Sequence, residues 1–198
     1  MGLGIAYTPG QTPLDEDEAD GLLIPTIATH GELDEFEQQN IEQAIQWTLE
    51  RKFKQGQVLQ GDFVKDVHRK MFGDVWAWAG VFRKTNKNIG IDYWKVETEL
   101  QYLMDDITYW INNKTYAPDE ISIRFKHRIV SIHCFPNGNG RHSRLMADII
   151  IEDLFKLPVF TWGASKFQNS GDARTTYLAA LKTADAGNIE PLISFARD

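Results

Sequence analysis

The sequence predicts an all-α domain with a short β-hairpin flap projecting near its middle. Three observations carry that expectation. From Glu32 onward apolar residues recur mostly at three-and-four spacing, the mark of helices that bury one face. Helix starts and stops, such as Pro118 with Asp119 and Glu120, or Leu157 with Pro158, fall at the ends of those stripes. The run from Gly80 to Tyr93, GVFRKTNKNIGIDY, holds no helical stripe and is rich in Asn, Lys and Gly, which suits a hairpin. With 198 residues, 42% hydrophobic and 12% aromatic, the chain can bury one sizeable core.

Residues 1–30 carry Gly, Pro and the acids Asp15, Glu16, Asp17, Glu18 and Asp20, and read as an arm packing on a body formed by 31–198. The acids of that arm are expected to form a solvated edge. Leu33, Phe36, Ile41, Ala44, Ile45, Leu49 and Phe53 predict one long helix, and Val64, Val67, Met71 and Phe72 a shorter one. The clearest stripe is Val96, Leu100, Leu103, Ile107, Trp110 and Ile111. Ile121, Phe125, Ile129 and Ile132 mark the next helix, whose Pro118, Asp119 and Glu120 suit the positive end of the helix dipole. After a glycine-rich break, Leu145, Ile149, Ile150 and Leu154 continue in helical register until Leu157 and Pro158. Tyr177, Ala180, Leu181 and Ala184, then Ile189, Leu192, Ile193 and Phe195, close the chain. No internal repeat is visible.

A formal net charge of −7 argues against a surface built to neutralise a nucleic-acid backbone, while a local basic pocket for one nucleotide stays compatible with it. The single cysteine, Cys134, permits no intramolecular disulfide and no cysteine-based zinc site, which fits a reducing compartment. No basic segment followed by an apolar run opens the chain, and no stretch is long enough to span a bilayer. The expectation is a soluble, cytoplasmic protein with neither nucleic acid nor membrane as partner.

The chemistry concentrates between two predicted helices, in His133-Cys134-Phe135-Pro136-Asn137-Gly138-Asn139-Gly140-Arg141-His142-Ser143-Arg144. An imidazole ends one helix, two glycines let backbone approach a ligand, and two arginines begin the next helix. Arginines near a helix N-terminus work against the dipole. Beside a double-glycine turn they make sense with a phosphate-like partner, onto which guanidinium groups three residues apart can fork. Simpler readings suffice elsewhere. His30, His68 and His127 read as satisfied core or surface histidines, Trp76 and Trp78 as core aromatics, and Cys134 as packing. His127, His133 and His142 match no compact zinc-ligand spacing.

The run resembles the Fic family motif H-x-F-x-D/E-G-N-G-R-x-x-R, matching every fixed position except the acidic one, which is Asn137. Trp76-Ala77-Trp78-Ala79-Gly80 before Phe82-Arg83 looks like the family's lead into its substrate-docking flap, and Glu37 to Ile41 like the start of its first core helix. Among subgroups, the chain is most similar to the one labelled mobile mystery protein B, which tends to be encoded beside a helix-turn-helix partner.

The resemblance implies transfer of AMP from ATP to a Ser, Thr or Tyr hydroxyl of a target protein, with His133 as the base. It implies that Gly138, Asn139 and Gly140 form an anion nest, that Arg141 contacts phosphates and that Arg144 holds the γ-phosphate. Asn137 stands where the family coordinates Mg²⁺. Lys87, Asn88, Ile89 and Gly90 would lie on the flap over the nucleotide and dock the target, and Tyr177 and Asp185 near the adenosine. A second reading is a catalytically weak nucleotide-binding module, the toxin-like member of a toxin–antitoxin pair, because a neutral Asn137 is a poorer Mg²⁺ ligand than a carboxylate. Phosphoryl transfer as in the Doc branch is disfavoured, since that branch has lysine where Gly140 stands. The family's restraining motif S/T-x-x-x-E-G/N does not occur. Its nearest counterpart, Thr12 to Asp17, contains Pro13 and lacks the final residue. Restraint by a separate partner chain is the expectation.

Overall fold

A computed structural model of the chain describes residues 15–164 and 170–198. Its helices are α1 (Glu16–Ala19), α2 (His30–Leu49), α3 (Gln55–Val58), α4 (Gly61–Phe72), α5 (Val96–Asn113), α6 (Pro118–Ile132), α7 (Asn139–Ile149), α8 (Ser170–Asp185) and α9 (Glu190–Arg197). The start of α2 is fixed by a capping box: the Glu32 amide donates to Thr29 Oγ1 (3.2 Å) and the Thr29 amide to Glu32 Oε2 (3.0 Å). Such a cap contributes about 1 kcal/mol. α2 stops at Leu49, short of the predicted Phe53. Phe53 is buried nonetheless, between Trp47 and Phe63, and its amide donates to Asp153 Oδ2 (3.2 Å). Pro118 opens α6 with Asp119 and Glu120 in its first turn. α7 passes into a wider π-type turn over 150–154 before the chain leaves the helix at Phe155.

Helices α6 and α7 form a hairpin at the centre of the fold. Around it, α2 packs on α4, α5 on α6, and α8 on α9. One buried cluster joins α2, α4, α5, α6 and α7 through residues such as Val64, Met71, Leu103, Phe125 and Met146. A second, with Ile123, Ile151, Tyr177, Leu192 and Phe195, ties α8 and α9 to the other side of the hairpin. The loop between α6 and α7, which carries the motif, is thereby held from both sides.

The expected β-hairpin is absent: among the described residues the β-type pairing is a single antiparallel bridge, Leu22 with Trp76. Residues 81–92 form an extended loop, and Arg83 is the reason. Its buried guanidinium donates to Thr85 O (2.8 Å) and Ile91 O within the loop, and to His133 O (2.5 Å) and Ile132 O (3.3 Å) on α6. Two loop carbonyls thus meet one side chain in place of a cross-strand ladder. Asn86 Oδ1 likewise accepts the Tyr93 amide (2.9 Å).

The described part of the N-terminal arm lies along this region. Leu23 N donates to Val75 O (2.9 Å), Ala77 N to Gly21 O (2.8 Å) and Trp78 Nε1 to Glu18 O (2.9 Å). Its acids are not simply a solvated edge, because Asp15 (2.8 Å) and Glu18 both pair with Lys87. Thr12 to Leu14 lie outside the described residues.

Candidate active site

His133 occupies the C-cap of α6 in the left-handed conformation (φ 59°). That geometry is uncommon for a residue with a side chain. It ends the helix abruptly and turns the imidazole inward, leaving the residue 4% exposed. Burial pushes the imidazole pKa down to about 4, helped by the charges of Arg83 and Lys87, while a hydrogen bond with the Val130 backbone opposes the shift. The ring is therefore neutral at neutral pH, the form able to accept a proton. Gly90 (φ 94°) closes over it, so near that a Cβ there would lie 2.5 Å from the Cβ of His133.

The following loop is braced by side chains from α4 and from itself. Asn139 is buried and its amide group spans the loop, accepting from Phe135 N (2.9 Å) and donating to Phe135 O (2.8 Å). Asn139 thus staples the loop, and its side-chain amide is engaged at both ends. His68 Nδ1 accepts the Gly80 amide (3.0 Å), so Nε2 carries the proton and donates to Asn137 O (3.1 Å). Its ring stacks on Phe135 at 3.7 Å, and burial holds its pKa well below the usual value. His142 Nε2 pairs with Val64 O (3.0 Å), again with a pKa lowered by burial to about 4. Gly138 begins α7 at φ 76°, with Phe72 where a Cβ would stand.

The two arginines diverge. Arg141 Nη1 pairs with Glu37 Oε2 at 2.5 Å, and its guanidinium lies 4.9 Å from the Phe72 ring centroid. The other Glu37 oxygen accepts from Trp76 Nε1 (2.6 Å). Arg144 rests on the rings of Tyr177 (4.5 Å) and Trp162 (5.7 Å). Both arginines line a pocket of about 320 Å³ between α2 and α7, whose walls include Ile41, Ile45, Asp148 and Trp162. Beside the two arginines and several apolar side chains its walls carry the acids Asp148, Glu152 and Asp153, and His133 is not among them.

These observations bring His133, the glycine loop, Arg141 and Arg144 to the junction of α6 and α7, with Gly90 against His133. Lys87 is buried but held by Asp15 and Glu18, and Asn88 and Ile89 face outward. Tyr177 sits against Arg144. Asp185, two turns further along α8, pairs with His127 (2.8 Å). Cys134 is buried with its pKa pushed up to about 12, an unreactive thiol. Glu37, which pairs with Arg141, and Trp76, which donates to Glu37, lie beside these residues, and helical periodicity could not single them out.

A magnesium ion fits this donor set poorly. Asn137 offers a neutral oxygen already accepting the Gly138 amide (2.6 Å), and among the described residues no group of three His, Cys, Asp or Glu side chains could hold a metal.

Residues 58–151, which hold α4 to α7 and the loop between α6 and α7, match the model of the Fic/DOC family. Over those residues the chain is similar to that family. Over 139 residues it is 27% identical to the protein adenylyltransferase Fic of Aedes aegypti and to that of Drosophila melanogaster, covering 68% of this chain. The chain spans about a quarter of the length of those relatives, 26% and 27% respectively. Its fold is that of Fic-1 from C. elegans (TM-score 0.65, 22% identity, 90% of this chain and 50% of that one). It is equally that of the BepC protein of Bartonella tribocorum, solved with bound AMPPNP (TM-score 0.66, 17% identity, 93% and 97%). None of the described helices is long and apolar enough to cross a membrane.

Proposed function

We propose that this domain is a protein adenylyltransferase that moves AMP from ATP to a Ser, Thr or Tyr hydroxyl of a target protein. The observation that carries the reading is a neutral, buried His133 at the head of a glycine loop that leads into two arginines. In the step, His133 takes the acceptor proton as the acceptor oxygen bonds to the α-phosphorus, the bond to the β-phosphate bridging oxygen breaks, and pyrophosphate leaves. The loop amides at the start of α7 and the two guanidiniums hold the triphosphate and offset its charge. The arriving anion also counters Arg83 and Lys87, so it raises the basicity of His133 from its low free value.

In this reading Arg141 must leave Glu37 to meet phosphate, which makes Glu37 a restraint within the chain. A separate inhibitory partner would act on top of it. Lys87, Asn88 and Ile89 lie on the loop that docks the target, with Ile89 48% exposed. Any Mg²⁺ would take most of its ligands from the triphosphate, with Asn137 as a neutral contributor. The lone buried Cys134 suits a reducing, cytoplasmic setting.

A second reading, a weak nucleotide-binding module in a toxin–antitoxin pair, is favoured by two specific features, the Glu37–Arg141 pair and the neutral Asn137. Incubation with α-labelled and γ-labelled ATP in a lysate separates the readings. Protein label from the α-position alone supports adenylylation, and no label from either supports the module.

A further inference from the structure

Two ionisable side chains lie beside Arg144 and take no part in the chemistry proposed above. Lys126, on α6, is 0% exposed. A lysine so buried is costly and needs a reason. Its Nζ contacts the Tyr177 hydroxyl and sits 4.4 Å from the centroid of that ring. Asp148, one turn beyond Arg144 on α7, accepts from Trp162 Nε1 (3.0 Å) and from the Phe160 amide (3.1 Å). Tyr177 and Trp162 are the two rings on which the Arg144 guanidinium rests. Trp162 is held in the left-handed region (φ 54°), a strained conformation that its contact with Asp148 helps to maintain.

We propose that Lys126 and Asp148 are positioning residues for Arg144, each anchoring one of its aromatic supports so that the guanidinium presents a single orientation to the terminal phosphate of the nucleotide. The inference rests on the reading of Arg144 as the γ-phosphate ligand. Lys126 Nζ donates to the Tyr177 hydroxyl, and burial together with the nearby Arg144 charge holds the Lys126 pKa well below the usual value. Burial likewise raises the Asp148 pKa to about 7, against its hydrogen bonds and the charges of Arg144 and Arg197. Fixing a planar fork before ligand arrives reduces what is lost on binding, and orientation is where an arginine exceeds a lysine.

The test is equilibrium binding of ATP and ADP to the full chain, with no acceptor protein present. The wild type is expected to bind ATP at least about tenfold more tightly than ADP, the scale of one charge-assisted contact. Lys126→Met and Asp148→Ala should each bring that ratio close to one while ADP affinity stays within about twofold. Lys126→Gln, which keeps a polar atom toward Tyr177, should restore most of the discrimination. Should Lys126→Met fail to fold, Lys126→Leu, which also removes the amine from Tyr177, carries the same expectation. Parallel loss of ATP and ADP affinity would mean a merely structural role and overturn the proposal. So would an unchanged ratio in Lys126→Met, or a wild-type ratio near one. Because no transfer is read, a wild type that discriminates but never labels a protein defeats the adenylyltransferase reading and leaves this one standing.

Discussion

Replacing Gly90 by alanine tests whether the loop over His133 must sit where it does. The new Cβ would meet His133 Cβ at 2.5 Å, and Arg83 Nη2 and Ile132 O at 3.2 Å each. Carbon atoms rest at about 3.5–4.0 Å, so the loop or the imidazole must move by roughly 1 Å. Relief by backbone rotation is opposed because φ is 94° and an L side chain there costs about 1–2 kcal/mol. The three neighbours are the groups that bolt the loop to α6, so the displacement is taken up at the catalytic centre. A misplacement of about 1 Å is worth on the order of 10²-fold in rate. Gly90→Ala should therefore lower transfer at saturating ATP about 10²-fold, with ATP affinity little changed and an intact circular dichroism spectrum. Ile89→Ala, one residue away and exposed, is the comparison and should leave stability within about 0.5 kcal/mol. A Gly90→Ala protein transferring at the wild-type rate would refute the reasoning.

His133 and His142, both held near pKa 4 by burial, take up protons in the unfolded chain near pH 6.5 but not in the folded one. Their stabilising contribution is complete above about pH 6.5 and is lost as pH falls toward 4, by about 3 kcal/mol each at most. Urea midpoints should drop steeply across that window, and a flat profile would contradict the burial. Glu37→Gln keeps an acceptor for Trp76 but removes the negative charge that holds Arg141, so titration calorimetry should show tighter ATP binding, by several-fold; weaker binding would show that Glu37 supports the site. Asn137→Asp should lower the Mg²⁺ concentration giving half-maximal transfer, and an unchanged Mg²⁺ dependence would remove residue 137 from metal binding.

The motif and most helices were legible because they rest on local spacing. His133 to Arg144 occupy one continuous run, and stripes such as Val96 to Ile111 need only a helix with one buried face. What escaped depends on contacts between distant residues. Glu37 and Arg141 are far apart in the chain, and Glu37 reads as an ordinary charge on α2 until the fold turns it inward. Lys126 falls within the α6 stripe as a polar interruption, and only its meeting with Tyr177 explains it. The expected hairpin failed because Asn, Lys and Gly mark a turn-rich segment without telling what its carbonyls will pair with, and Arg83 supplied that partner. The helices α1 and α3 each span four residues, too short for periodicity to register.

The central claim, that His133 moves a proton while the loop and arginines hold the nucleotide, is tested most directly by His133→Ala with α-labelled ATP and a lysate as acceptor. ATP binding, measured separately, should stay within a few-fold of wild type because the buried imidazole contributes little to the anion site. Transfer of label to protein should fall by at least about 10²-fold, the scale of one lost general base. Undiminished labelling by His133→Ala, with γ-labelled ATP still giving none, would contradict the account.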